Sequence, residues 1–409
     1  YLLNTTLLRI GLGAAGIPAL IGFLVVFQLI SPNKLAPDTL VAIALLYAGL
    51  LPSSLATGLT GLFYAYEKAE YPAAITVVTV LIKIALGVPV LVLTQSIVGI
   101  AAVSIIVNTV TLVILATLAM RLFFHPHWES DRVLQRSMLR ESFPLMINNL
   151  LSALFFKVDV TLLQPLKGER AVGWYNQAYK WVDALNVIPA YFTFALFPVL
   201  SRQAAEDKDA ARRSYHLAIK LLVMLALPAA VLTTFFAHEL TTIITFGDPR
   251  FQPDSTIALQ LMIWSIPFGW VNSVTNYVLI ALGQQRKLTN AFLIGLGFNV
   301  VANLIFIPLY SYKAAAVITI LSEIVEGGAF YWYIRKSIGP VPWAGLLWKV
   351  AGSSVVMLAA MFAVWRVSPL LALVVGLVAY PTALVALRAF GPEERAVLAP
   401  VLPQKLRKL

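Results

Sequence analysis

TLVAIALLYAGLLPSSLATGLTGLFYAYEKAEY (39–71) and STIALQLMIWSIPFGWVNSVTNYVLIALGQQRKL (255–288) decide the fold. Each is an apolar run with a proline near its middle, Pro52 or Pro267, and then a short polar turn. Each is followed by a second apolar run, starting near Tyr71 or Leu288. At about 1.5 Å per helical residue, roughly 20 residues cross a hydrocarbon core about 30 Å thick. Both copies then reach a helix start rich in small residues, VGIAAVSIIV (98–107) and KAAAVITIL (313–321). Pro52 and Pro267 stand 215 positions apart. An offset that preserves orientation makes the halves parallel repeats, related by an axis along the membrane normal.

Working outward, the same pattern fills the chain. Twelve spans are expected near 5–30, 39–65, 71–94, 97–120, 142–165, 171–200, 215–236, 256–282, 289–309, 313–334, 345–365 and 369–389. Pro189 and Pro198 are natural kink sites in the long span 171–200. Of the 409 residues, 60% are hydrophobic and 12% charged, and the mean hydropathy is +0.84. An ordinary soluble domain is about 25% charged, so soluble enzymes, disordered chains and coiled coils are excluded. A transmembrane barrel would alternate apolar and polar residues with period two, which these runs do not. The fold class is therefore all-α: a polytopic membrane protein with about twelve transmembrane helices in two parallel-repeat lobes.

Basic loop residues set the orientation. With the 66–70 turn placed in the cytoplasm, 19 loop lysines and arginines fall on that side and six on the other, the bias expected of cytoplasmic loops. The six are Lys34, Lys167, Arg170, Arg250, Lys313 and Arg366. The net charge of +11 then reflects topology rather than nucleic-acid binding. With no cysteine, disulfides and thiolate-ligated metals are excluded. The four histidines fall in or beside loops, and the i, i+2 spacing of His125 and His127 suits no metal on a helix. No metal and no cofactor is expected, and a monomer is expected.

The basic stretch 121–141 mixes Trp128, Val133, Leu134, Met138 and Leu139 with charges. It reads as an amphipathic helix on the cytoplasmic surface joining two lobes. The expected divisions are an N-terminal lobe at 1–120, the connector at 121–141, a C-terminal lobe at 142–390 and a basic cytoplasmic tail at 391–409. The repeat leaves 142–165 and 171–200 without counterparts ahead of Tyr1. This predicts two further helices upstream, about fourteen in all.

The stretch 143–202 resembles the seventh and eighth helices of polysaccharide flippases, members of the multidrug/oligosaccharidyl-lipid/polysaccharide exporter superfamily. The shared elements are Lys157-x-Asp159, then Val172-Gly173-x-Tyr175, then Ala178-Tyr179-Lys180 with Asp183, and finally Phe197-Pro198-x-Leu200-Ser201-Arg202. The stretch 281–326 is similar to the family's tenth-to-twelfth helix region, with its asparagine-rich helix, Ile307-Pro308 exit and Ser322-Glu323 pair. The resemblance implies a flippase that is not an enzyme. It would move a polyprenyl-diphosphate-linked oligosaccharide from the cytoplasmic to the outer leaflet of a prokaryotic inner membrane by alternating access. Its partners would be that substrate, membrane lipids and a coupling proton or sodium ion. A cation-coupled drug antiporter of the same superfamily is the alternative. An integral-membrane polymerase or glycosyltransferase is disfavoured, because the 238–255 loop carries no catalytic constellation.

Ionisable residues at bilayer depth are costly and usually face a cavity or a partner. Lys83, Asp159, Lys180, Asp183, Glu323 and Glu326 all fall about 10–20 Å from their helix ends. Lys180 and Asp183, at i and i+3, share a face. Lys157 and Asp159 point in roughly opposite directions, with Asp159 directed inward or toward Lys180 and Lys157 toward an interface or a neighbouring helix. Arg9 and Lys220 lie close enough to the cytoplasmic ends to snorkel. Glu323 and Glu326 share a face, so one holds a proton or meets a cation; they are the candidates for ion coupling. Lys83, Lys180, Asp183, Asp159 and Asn276 are the candidate substrate-binding residues. The remaining asparagines (Asn148, Asn149, Asn272, Asn299 and Asn303) are expected mainly to bond between helices.

Overall fold

A computed structural model describes residues 2–30, 35–66, 68, 70–123 and 130–391. His125, His127, Trp128, Lys34 and the tail from 392 onward lie outside the described residues. The described chain is helical, with no strand among the described residues. Twelve helical stretches are long and apolar enough to cross a membrane, so the chain is a multi-pass membrane protein.

Two compact units divide the chain, Tyr1–Phe143 and Pro144–Leu409. The first holds α1 (Leu2–Ile30), α2 (Pro37–Ala65), α3 (Glu70–Thr94), α4 (Ile97–Leu122) and the start of α5 (Arg132–Lys167). The second continues through α6 (Glu169–Leu185), α7 (Val187–Glu206), α8 (Lys208–Phe235) and α9 (Ala237–Thr245). Then come α10 (Asp254–Met262), α11 (Ile266–Ala281), α12 (Gln285–Tyr310), α13 (Tyr312–Ser337), α14 (Trp343–Trp365) and α15 (Pro369–Ala386).

The connector differs from the sequence reading. Residues 132–141 are the first turns of α5 and run unbroken into the span that follows, not a separate surface helix. No proline or glycine lies between Arg132 and Phe143, and the helix continues through Pro144, as α2 does through Pro52.

Helix ends follow local chemistry. Ser96 caps α4 by accepting from Gly99 N–H, and Asp207 caps α8 by accepting from Asp209 and Ala210 N–H. Ser368 caps α15, with Pro369 at its first position, where proline's missing N–H costs nothing. Gly168, at φ +81°, makes the tight turn from α5 to α6, a conformation glycine adopts without a Cβ clash.

Two spans predicted as single runs are broken by proline. Pro189 supplies no N–H to the Leu185 carbonyl, and helix α6 ends there, with α7 restarting after Asn186. Pro267, in the first turn of α11, does the same to Ile263, where a short 3₁₀ turn over Ile263–Ser265 separates α10 from α11. Pro52, by contrast, sits inside an unbroken α2.

The repeat is visible in the packing inside each unit. In the first, α1 packs on α2, α2 on α4 and α3 on α4. In the second, α8 packs on α11, α11 on α13 and α12 on α13. The second unit has the larger core, around the fully buried Trp270, Tyr175, Tyr215 and Phe330. The first buries Phe63, whose ring lies 5.8 Å from Tyr71 and 5.1 Å from Phe123. Large apolar side chains such as Leu29, Val92, Leu93 and Phe362 are left exposed, as lipid-facing positions require.

Candidate functional site

The second unit brings charged side chains together on α5 and α6, which run antiparallel about the Gly168 turn. On the buried side of α5, Asp159 is 1% exposed. Tyr175 on α6 and Thr319 on α13 donate their hydroxyls to its Oδ2, the latter at 3.3 Å, and the Val160 N–H donates to its Oδ1 at 2.8 Å. Asp159 therefore ties three helices together and does not meet Lys180.

On the opposite side of α5, Lys157 is exposed, as the roughly 200° separation from Asp159 requires. Its Nζ lies 3.3 Å from Asp183 Oδ2, and both side chains are more than half exposed. It also sits 4.0 Å above the Tyr179 ring. That ring is fixed by a hydrogen bond from Tyr179 Oη to the Phe156 carbonyl at 2.6 Å. Lys180 and Asp183 share a face of α6, but Asp183 pairs with Lys157. Lys180 donates instead to the neutral Gln177 Oε1 at 3.1 Å.

These groups belong to two polar stripes. Asn149, Lys157 and Thr161 are exposed on α5, and Glu169, Asn176, Lys180 and Asp183 on α6. Spacings of three, four, seven and eight put each set on one helix face. Lys157 and Lys180 lie about 17 Å from the Gly168 turn at about 1.5 Å per residue, a little over half the thickness of a bilayer core.

A second polar centre lies on α13. Glu323 and Glu326 are 4% and 2% exposed. Asn272 on α11 donates to the Glu323 carbonyl and to its Oε2, both at 2.8 Å. Glycines permit this approach. A Cβ on Gly327 would stand 2.7 Å from Asn272 Oδ1, and one on Gly269 would stand 3.2 Å from Glu323 Oε1. Among the described residues no ion pair reaches either carboxyl. Glu323 borders a cavity of about 460 Å³ between α8, α11, α13 and α14. Its walls are mostly apolar, with Tyr215, Asn272, Thr275 and Tyr331 as the other polar groups. Tyr215 and Thr275 share a hydrogen bond of 2.8 Å.

The other candidates are placed apart. Asn276 is half-buried on α11 and does not join the Lys157–Lys180 face by any hydrogen bond among the described residues. Lys83 is exposed on α3, in the first unit. In the same unit Arg9 does not simply snorkel. Its Nη1 donates to the Ser54 carbonyl at 2.7 Å and to Ser54 Oγ at 3.1 Å. Of the asparagines, Asn148 accepts from Thr289 across α5 and α12, while Asn303 donates to Asn299 within α12. Among the described residues no group of three histidines, aspartates or glutamates converges on a metal position.

Sequence reasoning left Tyr175, Tyr179, Thr319 and the tyrosines of the cavity wall unassigned. The first two lie within the very motifs quoted for the resemblance, at the spacing that turns them toward α5. Helix geometry alone directs Lys157 only to an interface or a neighbouring helix. Its partner Asp183 is 26 residues away.

Comparison with known proteins agrees with this architecture. A polysaccharide biosynthesis protein family model matches residues 5–204, and the MatE family model matches 144–305. The lipid II flippase MurJ, in an inward closed conformation, is similar in fold at a TM-score of 0.75 and 15% identity. That match covers 95% of this chain and 84% of MurJ. An inward-facing multidrug resistance MATE family transporter aligns at a TM-score of 0.71 and 16% identity over 82% of this chain and 80% of its own. An uncharacterised membrane protein of Methanocaldococcus jannaschii is 23% identical over 222 residues. That match takes in 52% of this chain and 42% of the relative, so the chain spans less than half of that relative's length. With matching models over both units and a shared fold over nearly its whole length, the chain belongs to the flippase and exporter superfamily that holds the polysaccharide, lipid II and multidrug transporters.

Proposed function

We propose that this protein flips a lipid-linked oligosaccharide, a glycan on a polyprenyl diphosphate, from the cytoplasmic to the outer leaflet of a prokaryotic inner membrane for cell-surface polysaccharide synthesis. The observation that carries this reading is the polar face of α5 and α6. Lys157, Lys180 and Asp183 are exposed at a depth where a charge in lipid is costly. Such a face needs water or a polar substrate beside it. The two ammonium groups suit a diphosphate. Asn149, Thr161, Asn176 and Gln177 suit sugar hydroxyls, and the polyprenyl tail stays in lipid. Lys83, exposed on α3, is a further candidate cation for the substrate. Alternating access carries the head group across, and the buried Glu323 and Glu326 bind the proton or sodium ion that drives it.

The test is flipping of a fluorescent polyprenyl-diphosphate oligosaccharide in proteoliposomes. Lys157→Gln, Lys180→Gln and Lys83→Gln should each lower the rate while protein remains in the membrane, and arginine should restore more than glutamine. Wild-type rates in all three glutamine variants would end this reading.

A second reading, a cation-coupled antiporter of organic cations, is favoured by one observation, the Glu323 carboxyl in the wall of the apolar cavity. A carboxylate in an apolar wall suits a cation with an apolar body. Efflux of an organic cation that is lost in Glu323→Gln, with no oligosaccharide flipping, would support it instead.

A further inference from the structure

We propose that Asp183 is an internal anion that occupies Lys157 in the empty protein, and that the diphosphate of the substrate takes its place. The proposal rests on reading the α5–α6 face as the substrate site.

The geometry of the three charges is unequal. Among the described residues Lys157, at 3.3 Å, is the one hydrogen-bond and ion-pair partner of Asp183. Lys157 keeps a second support when Asp183 leaves. Its ammonium lies 4.0 Å above the Tyr179 ring, and that ring is buried and tied to the Phe156 carbonyl. The lysine is therefore held in place by an aromatic face, while the aspartate is held only by the lysine. An ion pair with both side chains more than half exposed is weakly held in water. Lys180 completes the asymmetry. It stands on the same face and meets a neutral amide oxygen, not a carboxylate. One carboxylate thus faces two ammonium groups. A diphosphate carries more than one negative charge and can bridge both lysines, which a single short carboxylate cannot.

Two consequences follow. Asp183 lowers affinity by competing with the incoming anion, and it promotes release by recapturing Lys157. A site that binds tightly and never lets go transports nothing, so the carboxylate acts on specificity and turnover rather than on attraction.

The test uses the full chain in nanodiscs with inorganic pyrophosphate as the probe, read by calorimetry. Asp183→Asn should bind pyrophosphate about fivefold more tightly than wild type, as expected for removing a weak competing pair. Lys157→Gln should bind more weakly. The double variant should match Lys157→Gln, because Asp183 acts only through that lysine. Asp183→Glu keeps the charge and should not tighten binding, and Asp183→Ser frees the lysine by another side chain should asparagine impair folding. In proteoliposomes Asp183→Asn should show tighter binding with slower turnover, a split that a purely structural role does not produce. Affinity unchanged or reduced in both Asp183→Asn and Asp183→Ser would overturn the proposal. If Lys157→Gln and Lys180→Gln bind pyrophosphate as wild type does, the assignment of the face as the substrate site fails. If those two weaken binding while Asp183→Asn does not strengthen it, that assignment stands and only the exchange is wrong.

Discussion

Single residues divide here between holding helices together and facing the substrate. Asp159 and Lys157, two positions apart, do one task each because a helix turns them to opposite sides. Removing the Tyr175 hydroxyl takes a donor from a buried carboxyl. Thr319 still donates to that oxygen, so the loss is that of one hydrogen bond, about 0.5–1.5 kcal/mol, and Tyr175→Phe should lower the thermal midpoint of the purified protein. Conversion of Lys157 to glutamine removes two exposed contacts, the pair with Asp183, worth about 0–1 kcal/mol, and the cation–π contact with Tyr179, worth about 0.5–1 kcal/mol, and leaves no buried group without a partner. Lys157→Gln should therefore melt near wild type, while its flipping rate falls. A melting curve for both variants separates the two tasks. Asn272→Ala should cost about 0.6–1.7 kcal/mol, the range for hydrogen bonds between membrane helices, and should also alter any dependence of transport on proton or sodium gradients.

Elements are set by prolines and by close approach. Pro189 and Pro267 each interrupt a span, while Pro52 does not, so a mid-span proline alone does not fix where a helix breaks. The contact of α11 with α13 depends on two glycines. A Cβ on Gly327 would stand 2.7 Å from Asn272 Oδ1, whereas one on Gly328 meets nothing within 4 Å. Gly327→Ala should displace the Asn272 amide from Glu323 and lower both stability and ion-coupled transport. Gly328→Ala, one residue on, should leave both near wild type. Equal effects from the two substitutions, measured by melting and by gradient-driven transport, would show that helix propensity rather than the close contact matters at this site.

At the scale of the whole molecule, the loop charges carry an expectation about orientation. They predict residue 130 in the cytoplasm and the 237–253 segment on the other side. The chain has no cysteine, so single-cysteine labelling needs no background removal. Ser130 is exposed, and Phe246 is 97% exposed in the turn after α9. Ser130→Cys and Phe246→Cys should react with an impermeant thiol reagent from opposite sides of sealed vesicles. Reaction from one side would reverse the assignment of every loop between them.

The sequence by itself determined the spans, the parallel repeat and the superfamily. The spans and the parallel repeat are carried by the order of apolar runs along the chain, which a bilayer reads without needing tertiary contacts, and the superfamily by the motifs of 143–202 and 281–326. The predicted limits of the twelve spans agree with the helices to within a few residues at most ends, the long N-terminal extensions of α5 and α8 being the main departures. Those extensions carry polar residues, and hydropathy does not report helix outside the apolar core. The partners of the buried and half-exposed charges were not legible. Asp159 meets Tyr175 and Thr319, Lys157 meets Asp183, and Glu323 meets Asn272, at separations from 16 to 160 residues. A hydropathy pattern fixes which face of a helix is polar. Which polar face of another helix it meets is decided only when α5, α6, α11 and α13 pack, because the cost of an unpartnered charge falls on the folded bundle and not on the chain.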